Sequence, residues 1–383
     1  MKNFIIFFSI VFTIYGLVNY YIFIRGWQAI PKDSQVRTYY LVIFLFLALA
    51  FIIGRVLENY YLSSFSNVFV WVGSFWLGLM VYLLLSVIVI DIFRILNHFT
   101  GIFPSFIFND YPKTKQITAA VVLSVSLILI IAGRINALTP KIEKLDLKIN
   151  KTVNSQREWN IVLASDIHMG TLIGNSHLDK LVNITNSFNP DIVLFAGDII
   201  DEDLGPVIKQ DLGATLKNIK SKYGIYAITG NHEFIGGVEP AVKYLTEHGI
   251  NVLRDSSVKI ENSFYLVGRE DRSTNQFAHK KRKTLAEIME NVDKKFPIIM
   301  MDHQPFGLNE AVENGVDLQL SGHTHHGQLW PFNYITEMVY ELSWGYKKKG
   351  NTHFYVSSGF GGWGPPLKVG SRSEIVNIKL QFN

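Results

Sequence analysis

Near the end of the chain, Ser321-Gly322-His323-Thr324-His325-His326-Gly327-Gln328 sets three histidines within four positions, with a glycine on either side. Four other polar runs precede it: Ser165-Asp166-Ile167-His168, Gly197-Asp198-Ile199-Ile200-Asp201, Thr229-Gly230-Asn231-His232-Glu233 and Asp302-His303-Gln304-Pro305. Neutral imidazoles and carboxylates without a thiolate suit divalent ions such as Mn, Fe or Zn. Two such ions, about 3.5–4 Å apart, can clamp the attacking and leaving oxygens of a phosphoryl displacement. That pair needs roughly four donors per ion with one carboxylate shared, and Asp166, His168, Asp198, Asn231, His303, His323 and His325 supply the number. The chain has no cysteine, which excludes disulfides, thiolate catalysis and Cys-ligated zinc.

Residues spread over some 160 positions meet only if a scaffold gathers them. Each run follows a short apolar stretch that reads as a strand: Asn160–Ala164, Ile192–Ala196, Gly224–Ile228, Ile298–Met301 and Leu318–Leu320. Further strands are expected at 144–150, Phe264–Val267, Phe354–Val356 and Ile375–Leu380. Helices are expected near 175–188, 206–221, 238–248, 284–291 and 307–314. The alternation predicts an α/β domain. Open α/β sheets bind ligands at the carboxyl ends of their strands, so the runs are expected on one sheet edge. The glycines before Asp198, Asn231 and His323 suit tight turns there.

The first third of the 383 residues is different. A spanning helix needs about 20 apolar residues. Four stretches meet that length: Phe4–Ile24, Tyr39–Ile53, Val68–Ile90 and Ile117–Ile131, with Tyr60, Tyr61, Trp71 and Tyr82 as interfacial aromatics. The expected organisation is a four-helix transmembrane region at 1–135, a linker and first strand at 136–158, and the catalytic domain at 159–383. A multi-pass cell-membrane protein with the lipid bilayer as its partner is expected. Lys and Arg near the span ends are almost evenly divided, tilting toward a catalytic domain outside the cytoplasm. A net charge of +4 gives no reason to expect nucleic acid as a partner. Oligomeric state leaves no mark in the sequence.

The series DxH, GDxxD, GNHE, H and GHTH resembles that of the calcineurin-like metallophosphoesterases, over residues 142–381. The resemblance implies a two-sheet αββα sandwich and two divalent ions, Mn, Fe or Zn. Asp166, His168 and His325 would hold the first, Asn231, His303 and His323 the second, and Asp198 would bridge them. It further implies attack on phosphorus by a metal-bridging hydroxide. His232 would be the catalytic residue that steadies the transition state or protonates the leaving oxygen, with Asp201 and Glu233 orienting the ligands or His232. His326 falls beside the motif as a neighbour that could touch substrate. Glu202 and Asp203 stand where Ser/Thr protein phosphatases carry arginine and glycine, which argues against a protein substrate. The HTHHGQ ending looks more like the bacterial branch of membrane-associated phosphodiesterases, some of which cleave lipid-linked pyrophosphates.

The expected function is therefore hydrolysis of a phosphodiester or pyrophosphate, of a lipid-linked or envelope substrate. The alternatives are a phosphomonoesterase on a soluble substrate and a non-catalytic membrane sensor or scaffold. Arg269, Arg272 and Arg372 are the arginines placed to grip phosphate. Lys280-Lys281-Arg282-Lys283 is expected as a solvated helix start. The segment from Trp330 to Tyr346 is crowded with aromatic and aliphatic residues, and Ile335, Met338, Val339 and Leu342 keep helical spacing. Packing against the sheet is the expectation, with an interfacial helix as the alternative.

Overall fold

The computed structural model describes residues 2–153 and 155–383. It divides into two compact units, one up to Ala132 and one from Gly133 onward.

The first unit contains the helices Lys2–Ala29, Val36–Tyr60 and Ser64–Thr100 and most of Tyr111–Leu138. All four are long and apolar enough to cross a membrane. Their apolar side chains are largely exposed, as lipid-facing residues are, while Ile22, Phe44, Ala48 and Trp76 pack inward. The third helix runs on past Ile90 to Thr100, where Gly101 ends it in the left-handed region at φ 63°. The charges in that extension do not end the helix because they are partnered. Asp91 accepts from Tyr21 (2.5 Å), from Arg94 (3.1 Å) and from Arg25 of the first helix. Tyr82 is 3% exposed, buried in the bundle and not interfacial.

Among its described residues the second unit carries twelve strands: β1 (Lys141–Ile149), β2 (Glu158–Ala164), β3 (Ile192–Ala196), β4 (Ile225–Ile228), β5 (Ile250–Val252), β6 (Ser256–Ile260), β7 (Phe264–Gly268), β8 (Ile298–Met301), β9 (Leu318–Ser321), β10 (Gly345–Lys349), β11 (Thr352–Val356) and β12 (Glu374–Phe382). They form two six-stranded mixed sheets, in the orders β1-β12-β2-β3-β4-β5 and β10-β11-β9-β8-β7-β6. Strands β2 to β5 run parallel, as do β7, β8, β9 and β11. The inner faces meet through Trp159, Ile161 and Leu194 of one sheet and Phe264, Met301 and Leu320 of the other. The helices Asn175–Ser187 and Val238–Glu247 cover the outer face of the first sheet, and Leu308–Asn314 that of the second. Every residue of β3, β8 and β9 is buried, as expected where parallel strands are covered on both faces.

Several elements depart from the sequence reading: β5 and β6 have no counterpart in it, the helix expected near 284–291 is only Leu285–Ile288, and two further cases have a clear cause. The helix expected over 206–221 is two, Leu204–Lys209 and Leu212–Leu216, because Asp211 sits at φ 48° between them. Strand β10, Gly-Tyr-Lys-Lys-Lys, has no apolar alternation to announce it; it forms by antiparallel pairing with β11, and its lysines suit an edge.

His177 lies in the helix Asn175–Ser187, packed on Phe360 at 4.6 Å between ring centroids, with its Nε2 buried and unbonded. Burial, aided by nearby Lys180 and Arg134, pushes its pKa down to about 4. Between that value and the ordinary one of about 6.5, the unfolded chain binds a proton that the folded chain does not. This contribution to stability is fully present above about pH 6.5 and is lost as pH falls to about 4, by roughly 3 kcal/mol. Thermal unfolding of His177→Leu from pH 7 to 4 is expected to show a flatter decline than the parent.

Candidate metal centre

The five polar runs emerge where the two sheets bring their strand ends together. Asp166 and His168 follow β2, Asp198 follows β3, and Asn231 and His232 follow β4, all in the first sheet. His303 follows β8, and His323 and His325 follow β9, in the second. The site is therefore shared between two sheets, not laid along one edge. Parallel strands are the reason: each delivers its C-terminal residue to the same end.

The donors face one another. His168 Nε2 and His325 Nε2 are 3.2 Å apart, and His325 Nε2 is 3.4 Å from Asp166 Oδ1. Asp198 Oδ2 lies 3.0 Å from His303 Nε2 and 3.9 Å from His168 Nε2, so one carboxylate reaches both halves. His323 Nδ1 is 2.8 Å from Asn231 Oδ1. Two triads, Asp166-His168-His325 and Asp198-His303-His323, each offer ligand atoms within 4.8 Å of one another. A third, His168-Asp198-His232, overlaps them.

This donor set fits divalent cations. His303 Nε2 is fully buried, and its approach to Asp198 lacks hydrogen-bond geometry. His168 Nε2 and His325 Nε2 face each other at a distance where either one N–H donates to the other's lone pair or a cation between two lone pairs satisfies both. Burial and the neighbouring imidazoles hold His325 and His323 below the usual histidine range, leaving each ring neutral with one nitrogen free to act as a ligand. Burial opposes charge on His303 too, but Asp198 beside it outweighs that and raises its pKa, a sign of how strongly the carboxylate calls for a cation.

The backbone is strained at the same residues. Asp166, His168, Asp198, His323 and His325 have φ of 50°, 53°, 50°, 72° and 47°, each costing about 1–3 kcal/mol in a non-glycine residue. Such strain clusters at functional sites, where the surroundings over-determine it. Close approach explains two of the motif glycines. A Cβ on Gly230 would lie 2.2 Å from Asp198 Oδ1, and one on Gly322 would lie 2.3 Å from Asp166 Oδ2.

His232 is 6% exposed. Its Nδ1 is 3.4 Å from Asp201 Oδ1 and 3.6 Å from Glu202 Oε1, and its backbone N–H donates to Asp198 Oδ1 at 2.9 Å. Burial lowers its pKa, but Asp198, Asp201 and Glu202 together outweigh this and raise it to about 9. Asp201 Oδ1 lies 3.4 Å from His168 Nδ1 as well. Glu233 acts on backbone groups, among them that of Asp198, and not on a ligand side chain. It accepts the backbone N–H groups of Ile199 (2.7 Å), Ile200 (2.8 Å), Gly230 (2.7 Å) and Asp198 (3.2 Å), binding two of the polar runs together. His326 turns away from the donors, toward the Ser343 hydroxyl (3.2 Å) and the ring of Trp344 (5.3 Å).

The three nominated arginines are engaged elsewhere. Arg269 is buried and bonds Glu310 (2.7 Å) and Asp302. Arg272 donates to Phe306 O, and Arg372 to Thr139. Arg282, read in the sequence as part of a solvated cationic run, is half-buried with its side chain covered, and pairs with Asp302. That aspartate, one residue before His303, is the physical reason: a buried carboxylate needs cations.

Two participants were not among the site residues expected from the sequence. Glu202 stands beside His232 where an arginine would mark a protein phosphatase. Lys368 is fully buried, and its ammonium donates at 2.6 Å to the carbonyls of Ser358 and Gly359. A Cβ on Gly359 would touch Asp166 at 2.8 Å, so this loop forms the floor of the centre.

Residues 160–327 match the family model described as "Calcineurin-like phosphoesterase". An uncharacterized metallophosphoesterase of Campylobacter jejuni is 30% identical over 397 residues, covering 99% of both chains. One of Helicobacter pylori is 33% identical over 246 residues, 63% of this chain and 64% of that one. A transmembrane protein with metallophosphoesterase domain of Danio rerio is 31% identical over 271 residues, 68% of this chain and 62% of that one. The chain thus spans slightly less than two thirds of the length of the latter two relatives.

Proposed function

We propose that this chain, which belongs to the calcineurin-like phosphoesterase family, hydrolyses a phosphodiester or pyrophosphate bond of a lipid-linked or envelope substrate. The family's members are metal-dependent phosphoester hydrolases with two divalent ions, and four apolar helices make this member a membrane protein. In the proposed site Asp166, His168 and His325 hold one ion, Asn231, His303 and His323 the other, and Asp198 both. Bound there, the ions supply Lewis acidity toward the phosphoryl oxygens and lower the pKa of water. His232, held by Asp201 and Glu202, carries a proton to the leaving oxygen.

The carrying observation is Asp198, a single buried carboxylate within 3.9 Å of histidines from both triads. The preference for a diester rests on charge. Arg269, Arg272 and Arg372 are spent on other partners, so the phosphate meets the two ions without an added guanidinium. A monoanionic diester needs less compensation than a dianionic monoester.

The test uses the full chain in detergent with Mn, comparing bis-p-nitrophenyl phosphate with p-nitrophenyl phosphate, before and after chelation. Faster cleavage of the diester, abolished by chelator and restored by metal, is the expected result. A preference for the monoester would favour a phosphomonoesterase, and turnover untouched by complete metal removal would sink the metal assignment. Asp201→Asn is expected to cost about 10–100-fold in activity or metal affinity, because Asp201 orients both His168 and His232. Initial rates with a metal titration separate the two effects.

A further inference from the structure

In the stretch after the last metal ligands, Leu342 packs against the second sheet's outer cluster, but the helix before it does not. The helix Asn333–Val339 has no buried residue. Tyr334, Ile335, Met338 and Val339 are 56%, 51%, 78% and 55% exposed. Among the described residues from Gly133 onward, fourteen large apolar side chains are exposed, and nine of them fall within 330–363. A soluble monomer rarely shows so concentrated a patch without using it.

The patch rims the metal centre. Tyr340 faces the ring of His323 at 6.1 Å, Trp344 that of His326 at 5.3 Å, and Trp363 that of His232 at 6.1 Å. Gln328 ties the metal loop to the Trp363 lip, its side chain donating to the carbonyls of Trp363 and Pro365, each at 2.8 Å.

We infer that the helix Asn333–Val339 and the neighbouring tryptophans Trp330 and Trp363 form a membrane-docking surface, whose occupant is the lipid–water interface of the bilayer this chain spans. Three features select that occupant over a protein partner. Trp330, Tyr334, Trp344, Tyr346 and Trp363 are the amphipathic aromatic types that settle at headgroup level, with aliphatic Ile335, Met338 and Val339 supplying the part that enters the acyl boundary. Lys347, Lys348 and Lys349 lie beside the patch on β10, against the exposed Glu337 of the helix and Glu341, which pairs with Lys347 and Lys349, and Lys348 is exposed. Such lysines favour an anionic headgroup layer by about 1 kcal/mol each. Finally, β1 begins at Lys141 and the last apolar helix ends at Leu138, so only Thr139 and Pro140 separate the domain from a segment long and apolar enough to span. A tether that short makes surface docking effectively intramolecular. The consequence is that the metal centre opens toward headgroups, where a phosphate within a lipid would lie. Docking itself does not depend on the proposed reaction.

The absence of cysteine makes the test clean. Met338→Cys and, as a control, Ile208→Cys (57% exposed in the parent, on the helix Leu204–Lys209) would each be nitroxide-labelled in the full chain. Both are then reconstituted into vesicles of phosphatidylcholine and phosphatidylglycerol. Bound metal, measured by elemental analysis, checks the fold of each variant. The expected result is high oxygen and low nickel-chelate accessibility at 338, at the depth of the headgroup–acyl boundary, against full nickel-chelate accessibility at 208. Equal nickel accessibility at both sites would overturn the proposal. So would shielding of 338 from both relaxants with spin–spin broadening, which would identify a second copy of the chain as the occupant.

Discussion

His232→Ala is expected to slow hydrolysis by about 10²–10⁴-fold, the range for loss of a positioned general acid, while both divalent ions stay bound. The separation is possible because the residue contributes in two ways. Its backbone N–H holds Asp198 Oδ1 at 2.9 Å, and alanine keeps that bond. Only the imidazole is lost, with its contacts to Asp201 and Glu202. Those carboxylates and Asp198 favour the protonated ring, the form that can donate to a departing oxygen. Steady-state rates on a diester, together with elemental analysis of the purified variant, give the answer. Because His168, Asp198 and His232 also lie close enough to share an ion, loss of metal in this variant would make His232 a ligand instead. Full activity would remove it from the mechanism.

Glu233→Ala is expected to have the largest effect on stability. The carboxylate is 1% exposed and accepts four backbone N–H groups from two different loops. Burial and nearby Asp198 work against its charge, and the N–H groups of Ile200 and Gly230 work in favour of it. Alanine would leave four donors without an acceptor, at about 1–3 kcal/mol each where water cannot replace it. A loss of at least about 4 kcal/mol places this change among the exceptional ones. The expected fall in the unfolding temperature of the second unit is about 10 °C or more. Glu233→Gln, which keeps one oxygen but turns an amide toward two N–H groups, should fall between. Thermal unfolding of the full chain in detergent, followed by near-ultraviolet circular dichroism, measures the series. A shift under a few degrees for Glu233→Ala would mean that water reaches these amides.

The two residues stand next to each other in sequence, and nothing local separates their roles. His232 continues the Asn231 motif and was legible as a candidate acid. Glu233 looked like an orienting group for ligands, and it became a loop clamp only because β3 and β4 are neighbours in the first sheet. The nominated arginines went the same way. A glycine-arginine pair after β7 resembles a phosphate grip until Asp302, delivered by β8, takes the guanidinium. The aromatic segment after the metal loop was expected to pack inward, since its helical spacing is that of a core-facing stripe. The second sheet's outer face was already filled by Leu285, Ile288, Leu308 and Ala311, with Leu342 packed at their edge, so Ile335, Met338 and Val339 are left outside.

By itself, the sequence determined the class of chemistry, the membrane half and most of the scaffold. Each rests on local information: ligand types at fixed offsets from strand ends, apolar runs long enough to span, and alternation of short strands with helices. The tertiary structure decided what depends on pairing across distance. It divided the ligands between two sheets and put Asp198 within reach of both sets of histidines. It spent the arginines on buried carboxylates and set Lys368 beneath the centre. The physical reason is that a buried charge is assigned by whichever opposite charge or backbone donor the fold brings within about 4 Å, and that neighbour is usually far away in sequence.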